Sequence, residues 1–259
     1  MKHLTSRDNA DYKALKKLAE SSRERRKAGL ILLDGMHLVE SYTQARGSPH
    51  SLAVSVSGAA RPEIAKWLEC CAVNNVLLLE DTLFNALSDV DTPSGILAVA
   101  AYPEPSIPLS FSEDTVILDG VQDPGNLGSI LRTAAAAGFR QAVLSRDCAQ
   151  AWAPRVLRAG MGAHFQIAIH EAVNLPDFLM SFQGKGIATT LDGASDVFSL
   201  DLRGQVAWVF GSEGMGVRSD TLSAVSIRAK IPMPGDIESI NVAAAAAVCL
   251  FETIRQRHL

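Results

Sequence analysis

Long apolar runs are missing from this sequence. No stretch of about 18 apolar residues exists to cross a bilayer, and the opening Met-Lys-His-Leu-Thr-Ser-Arg-Asp holds no apolar segment of a secretory signal. Membrane-span and secretory classes are set aside, and a cytoplasmic protein is expected. Cysteine is scarce: Cys70, Cys71, Cys148 and Cys249 include an adjacent pair but no Cys-x-x-Cys. That pattern suggests neither a zinc site nor a disulfide framework, so the thiols read as reduced and structural. The six histidines form no His-Glu-x-x-His and no close pair, so no metal site is expected. Positive charge is also in deficit, the net value being −4, which argues weakly against a polyanion partner.

That deficit is uneven. Residues 1–30 carry nine Lys/Arg (Lys2, Arg7, Lys13, Lys16, Lys17, Arg23, Arg25, Arg26, Lys27) against Asp8, Asp11, Glu20 and Glu24, so the arm is +5 and the remainder −9. A basic arm on an acidic body is compatible with contact to a phosphate backbone, and equally with a solvated helix face.

With 259 residues, 47% apolar, the chain can build one large core or two modest ones. Two domains are read. Tyr12, Leu15, Leu18 and Ala19 recur at helical spacing, predicting one basic amphipathic helix over 11–28 stopped by Gly29. Strands at 30–33, 52–56, 76–79 and 95–101 then alternate with helices at 36–46, 62–73 and 81–88, giving a small α/β domain, 1–102. Residues 103–114, with three prolines in seven residues, read as a semi-rigid linker. From 115 to 259, apolar runs at 116–118, 142–144, 165–169, 187–191, 206–210 and 226–231 alternate with potential helices, predicting a parallel sheet covered on both faces.

Three stretches in this second half start at strand ends, where open parallel sheets bind ligands. They are Leu118-Asp-Gly-Val-Gln-Asp-Pro-Gly-Asn-Leu-Gly128, Val209-Phe-Gly-Ser-Glu-Gly-Met-Gly-Val217 and Ile231-Pro-Met-Pro-Gly-Asp-Ile-Glu-Ser-Ile-Asn241, the last running into an alanine-rich helix. The first lacks Gly-x-Gly-x-x-Gly, which demotes a dinucleotide site. Ser212 follows a strand, but Phe210 stands where a nucleophile elbow needs glycine, so a serine hydrolase is a weak reading. Ser239 and Asn241 stand where a helix cap belongs, and the N–H groups behind them could hold a carboxylate or an adenine edge.

Together the three stretches resemble the SpoU/TrmH family of the SPOUT superfamily, S-adenosylmethionine-dependent RNA ribose 2′-O-methyltransferases. Asn126 and Arg132 match the first family motif, Gly211 to Gly216 the second, and Ser239 to Asn241 the third. The first domain resembles the L30e-like ribosomal-protein fold of many members, through Leu33-Asp-Gly-Met-His-Leu-Val39 and Ser94-Gly-Ile-Leu-Ala98; Asp34 replaces a more usual Glu.

The resemblance implies a trefoil-knotted parallel-sheet methyltransferase domain preceded by a small L30e-like α/β domain, and a homodimer joined through the catalytic domain; the small side chains of the alanine-rich helix 242–252 permit close packing and place it at or near that interface. It places S-adenosylmethionine against Leu191, Gly211, Ile231, Met233 and Ile240, and chemistry at Asn126, Arg132, Glu213, Ser239 and Asn241. Asn126 would orient the ribose, and Glu213 would order polar neighbours or the arginine. A guanidinium keeps its proton in proteins, so Arg132 fits a phosphate clamp and alkoxide stabiliser better than a free base. Ribosomal RNA is the first expectation for substrate, transfer RNA the next, and a non-catalytic RNA-binding protein the competing class.

Overall fold

The computed structural model describes residues 1–88, 92–104, 107–191 and 195–258; Pro105 and Ser106 of the expected linker lie outside the described residues. Where the spacing predicts one helix, the chain makes two, α1 (Ala10–Glu20) and α2 (Ser22–Ala28). Ser21 between them is extended, at φ −125°, and its hydroxyl accepts from Glu24 N at 3.2 Å. Ser21-x-x-Glu24 is a capping-box pattern, a start signal stronger here than the continuing apolar period. Arg25 seals the break: it is buried, and its Nη1 donates to Leu18 O at 2.7 Å and Ala19 O at 3.2 Å, carbonyls left over at the end of α1. Gly29, left-handed at φ +64°, then ends α2 as expected.

By packing, the described residues divide into two compact units, Met1–Glu104 with Trp152–Phe165, and Pro105–Ala151 with Gln166–Leu259. The first holds a five-stranded sheet in the order β1-β4-β3-β5-β2. Its strands are β1 (Lys2–Leu4), β2 (Leu30–Asp34), β3 (Ser51–Ser55), β4 (Val76–Leu79) and β5 (Ile96–Ala101), and β5 runs antiparallel to β2 and β3. Helices α3 (Met36–Arg46), α4 (Val56–Ala59), α5 (Pro62–Cys70) and α6 (Asp81–Asn85) complete the α/β pattern. Tyr12 and Leu15 of α1 enter the same core as Leu32, Phe84, Leu97 and Val99.

The second unit begins with β6 (Thr115–Asp119), α7 (Pro124–Ala136) and β7 (Gln141–Leu144). The linear reading leaves Trp152–Phe165 inside 115–259, yet this segment packs with the first unit through α8 (Pro154–Gly160) on β2. Arg158 Nη2 lies 3.2 Å from Asp34 Oδ2, and Phe165 meets Tyr42 edge-on at 5.6 Å. Phe165 therefore belongs to a 3₁₀ turn, Ala163–Phe165, and not to the strand predicted at 165–169, which is the shorter β8 (Ala168–His170).

The remaining elements are α9 (Leu175–Ser181), β9 (Lys185–Thr189), β10 (Ser195–Asp196), β11 (Val206–Gly211), α10 (Ser219–Ala224), β12 (Ile227–Lys230) and α11 (Val242–Arg257). They form a seven-stranded sheet, order β10-β12-β9-β11-β6-β7-β8, with all described pairs parallel. Central β11 is buried at all six positions, as a strand covered on both faces must be. One face carries Ile117, Val143, Phe178 and Val209; α11 packs on α7 and β11, and the buried Trp208 indole donates to Thr253 Oγ1 at 2.9 Å.

Candidate active site

Parallel strands end on one edge of the sheet, and all three motif loops leave from that edge. After β6 the chain turns through Val121–Asp123 into α7, whose N-cap is Asp123, its carboxylate accepting Asn126 N at 2.7 Å. Asp123 thus performs the cap, and the Asn126 side chain is left for other partners. Its Nδ2 donates to Glu213 Oε1 at 2.7 Å, and its Oδ1 accepts from Asn241 Nδ2 at 2.9 Å. Asn241 caps α11, its Oδ1 accepting Ala243 N at 2.8 Å and Ala244 N at 3.3 Å.

This chain fixes its own polarity. Only an oxygen can face the α11 N–H groups, so the Asn241 NH₂ must face Asn126, whose oxygen must receive it and whose NH₂ is left for the Glu213 carboxylate. One residue from each motif is thus joined in a single directional line, two amides ending on a carboxylate.

The other two expected catalytic residues stand outside it. Arg132 is exposed on α7, six residues beyond Asn126, which is about 9 Å along the axis and 120° around it. It has no hydrogen-bond or ion-pair partner among the described residues, and Glu213 orders Asn126 rather than the arginine. Ser239 is exposed in the loop before α11, and Asn241 alone performs the cap.

The residues expected around a cofactor come from three adjacent strand ends. Leu191 follows β9, Gly211 ends β11 and Ile231 follows β12, and strands stand about 4.8 Å apart. Leu191 is 57% exposed, while Ile231, Met233 and Ile240 are half-buried, so these strand ends carry apolar surface of the kind an adenosyl group needs. Gly211 needs a different explanation from the one its motif suggests. A Cβ there would meet Gly216 C at 2.0 Å, so glycine is required because the 212–216 loop folds back onto its own strand.

That loop is tightly bonded. Ser212 N donates to Gly216 O at 3.1 Å, Gly216 N returns to Ser212 O at 2.9 Å, and Met215 N donates to Ser212 Oγ at 3.2 Å. The Ser212 hydroxyl thus serves the turn, which removes the motive for a serine nucleophile. Burial pushes the Cys148 thiol up, away from thiolate chemistry, and its Sγ donates to Leu118 O at 3.2 Å. Among the described residues no group of three His, Cys, Asp or Glu could hold a metal, and no helix is long and apolar enough to cross a membrane.

Sequence reasoning missed Asp119 and Arg218. Asp119 ends β6 with its side chain fully buried; Arg218 N donates to its Oδ2 at 2.9 Å and Arg218 Nε lies 2.8 Å from its Oδ1. A charged residue closing the apolar run Val116–Leu118 was the available signal.

Residues 114–251 match the model of the SpoU rRNA Methylase family, and residues 9–98 that of the MRM3-like substrate binding domain. The chain is 31% identical over 254 residues, 97% of its length and 98% of the relative's, to the 23S rRNA (guanosine(2553)-2′-O)-methyltransferase RlmP of Bacillus subtilis (strain 168). It superposes with TM-score 0.87 and 29% identity on a crystal structure of an RNA 2′-O ribose methyltransferase, covering 99% of this chain and 100% of that one. An AdoMet-bound rRNA methyltransferase from Sinorhizobium meliloti matches with TM-score 0.83 and 28% identity, over 100% of this chain and 98% of that one. The mixed α/β architecture expected, a parallel-sheet SPOUT methyltransferase domain with a small α/β domain before it, is the one present.

Proposed function

From the premise that this chain belongs to the SpoU rRNA methylase family and is an S-adenosylmethionine-dependent RNA ribose 2′-O-methyltransferase, we propose that it methylates ribosomal RNA through the Glu213–Asn126–Asn241 line. The observation carrying this reading is that line, whose two bonds of 2.7 and 2.9 Å join three motifs that lie far apart in the chain. The rRNA assignment draws support from RlmP of Bacillus subtilis and the MRM3-like match, with transfer RNA as the alternative. A cytoplasmic location goes with either substrate.

Bound S-adenosylmethionine supplies an electrophilic methyl on a sulfonium. The chain's residues must orient the ribose hydroxyl in line, accommodate its proton and exclude water. Leu191, Ile231, Met233 and Ile240, with main-chain atoms at Gly211, would hold the adenosyl group. Asn126 orients the ribose, with its own rotamer set by Glu213 on one side and Asn241 on the other. Ser239 bonds ribose or phosphate from the same loop. Arg132, exposed and without a partner among the described residues, clamps the adjacent phosphate and stabilises developing alkoxide charge.

Residues 1–102 serve as the RNA substrate-binding domain, 103–114 as linker and 115–259 as the methyltransferase domain, with Trp152–Phe165 packed in the first unit. A homodimer forms over the 242–252 part of α11, where Ala244 and Phe251, 49% exposed, lie two turns apart on one stripe. Light scattering at micromolar concentration checks this, and a monomer with cofactor present counts against it.

Methyl transfer from labelled cofactor to ribosomal and transfer RNA, followed by ribose mapping, tests the whole reading. Arg132→Ala abolishes turnover and leaves cofactor affinity by calorimetry within a few-fold. Arg132→Lys keeps partial activity if the residue is a clamp; activity climbing with pH would mark it as a base instead. Wild-type turnover in Arg132→Ala removes this loop from the chemistry, and methylation of transfer RNA alone overturns the rRNA assignment.

A further inference from the structure

The loop that presents Glu213 is referenced at both ends to one residue. At its start, Gly211 pairs with Asp119 in the β11–β6 register; at its close, Arg218 N donates to Asp119 Oδ2 at 2.9 Å. The Asp119 side chain is 0% exposed, and an ionised carboxylate in that position needs both hydrogen bonds and a counter-charge. The counter-charge is the Arg218 guanidinium. Its Nε stands 2.8 Å from Oδ1 without a hydrogen-bonding angle, so the contact is Coulombic, and Oδ1 has no hydrogen-bond partner in the described structure. The same guanidinium reaches Asp147 Oδ2 through Nη1 at 3.0 Å, beyond the end of β7.

We propose that Asp119 and Arg218 are a positioning pair for methyl transfer, holding the 212–217 loop so that the Glu213 carboxylate meets Asn126. The inference rests on the reading of Glu213 and Asn126 as site residues. A buried ion pair adds little net stability over an apolar pair of similar volume, so its value here lies in geometry. Bonds inside the loop, Ser212 with Gly216 in both directions, make it move as a unit. A change at Arg218 is therefore transmitted to Glu213 as a shift of the carboxylate rather than absorbed by the turn, and misplacement by about 1 Å can cost a hundredfold in rate. Arg218 lies outside the three family motifs, and its side chain is 41% exposed, so it can be changed without opening a cavity.

The test is a double-mutant cycle read in kcat, in KM for RNA, in cofactor Kd and in melting temperature, with kcat measured well below every transition. Arg218→Met is expected to lower kcat at least about tenfold with KM and Kd within about threefold, and Arg218→Lys to recover part of the loss. In a Glu213→Gln background, Arg218→Met should cost little more, because the residue it acts through is already disabled. Losses that multiply across the cycle, or a melting-temperature drop with wild-type kcat, overturn the proposal and leave a plain structural ion pair. Glu213→Gln at the wild-type kcat instead overturns the site reading beneath it, whereas a slow Glu213→Gln beside a normal Arg218→Met overturns only this inference.

Discussion

Asn241 binds in two directions at once: its Oδ1 accepts the first free N–H groups of α11, and its Nδ2 donates to Asn126 Oδ1 at 2.9 Å. Helix stability and site geometry thereby share one side chain. Asn241→Asp separates them, because a carboxylate caps as well as an amide but cannot donate to Asn126. Melting temperature should stay near wild type while turnover falls. Asn241→Ala should lose both, with about 1 kcal/mol of stability gone. If Asn241→Asp turns over normally, the Glu213–Asn126–Asn241 line has no part in the reaction.

Gly211 is constrained by its own loop, so a bulky substitution there does not report cleanly on the cofactor. Even Gly211→Ala brings a methyl to 2.0 Å from Gly216 C and should lower both melting temperature and activity. Ile231→Asp is the cleaner probe. It should weaken S-adenosylmethionine binding at least about tenfold with little loss of stability, since Ile231 is only half-buried. Unchanged affinity by calorimetry would take the β12 end out of the cofactor site.

Apart from Arg7, exposed in the turn before α1, the basic arm divides into structural and free cations. Lys2, Lys13 and Lys16 pair with Asp11, Asp8 and Glu20, and Arg25 is buried on helix carbonyls. Lys17, Arg23, Arg26 and Lys27 are exposed without a partner among the described residues. Changing these four to Gln should weaken RNA binding and reduce its salt slope by up to about 3 to 4 units, with stability unchanged. Arg25→Gln should do the reverse, costing about 1–3 kcal/mol of stability and leaving the slope alone. A wild-type slope in the fourfold variant returns the arm to a solvated surface.

Thiol reactivity should follow burial. Cys70 is exposed and Cys71 half-buried, whereas burial pushes the Cys249 thiol up to about 12. At pH 8 Cys249 stays protonated and should react with a disulfide reagent only after unfolding, while Cys70 and Cys71 react at once. The raised value also sets a sign: Cys249 supports the fold fully below its ordinary value of 9.0, and that support is lost as pH rises towards 12. Rapid labelling of all four thiols in the native protein would contradict this burial.

The strands and helices that position the site were largely legible in the chain, because each is a local periodic pattern. The 36–46 helix and the 76–79 strand have the same ends in sequence and structure, and the apolar runs 116–118 and 206–210 are the cores of β6 and β11. The motif residues were legible too, since a tight loop feeding a helix needs glycine, proline and a capping amide whatever surrounds it. Strands as short as β1 and β10, with three and two residues, have no period to read, and their pairing partners alone define them.

Non-local pairing belonged to the tertiary structure. That Asn126 meets Glu213, 87 residues on, and Asn241, 115 residues on, depends on which strand ends become neighbours, which no window of sequence contains. The same holds for Arg158 reaching Asp34 across 124 residues, which takes Trp152–Phe165 out of the run of the second sheet. Asp119 carries the point furthest. In sequence it is an acid ending an apolar strand, and only the arrival of Arg218 from 99 residues away makes its buried charge tolerable.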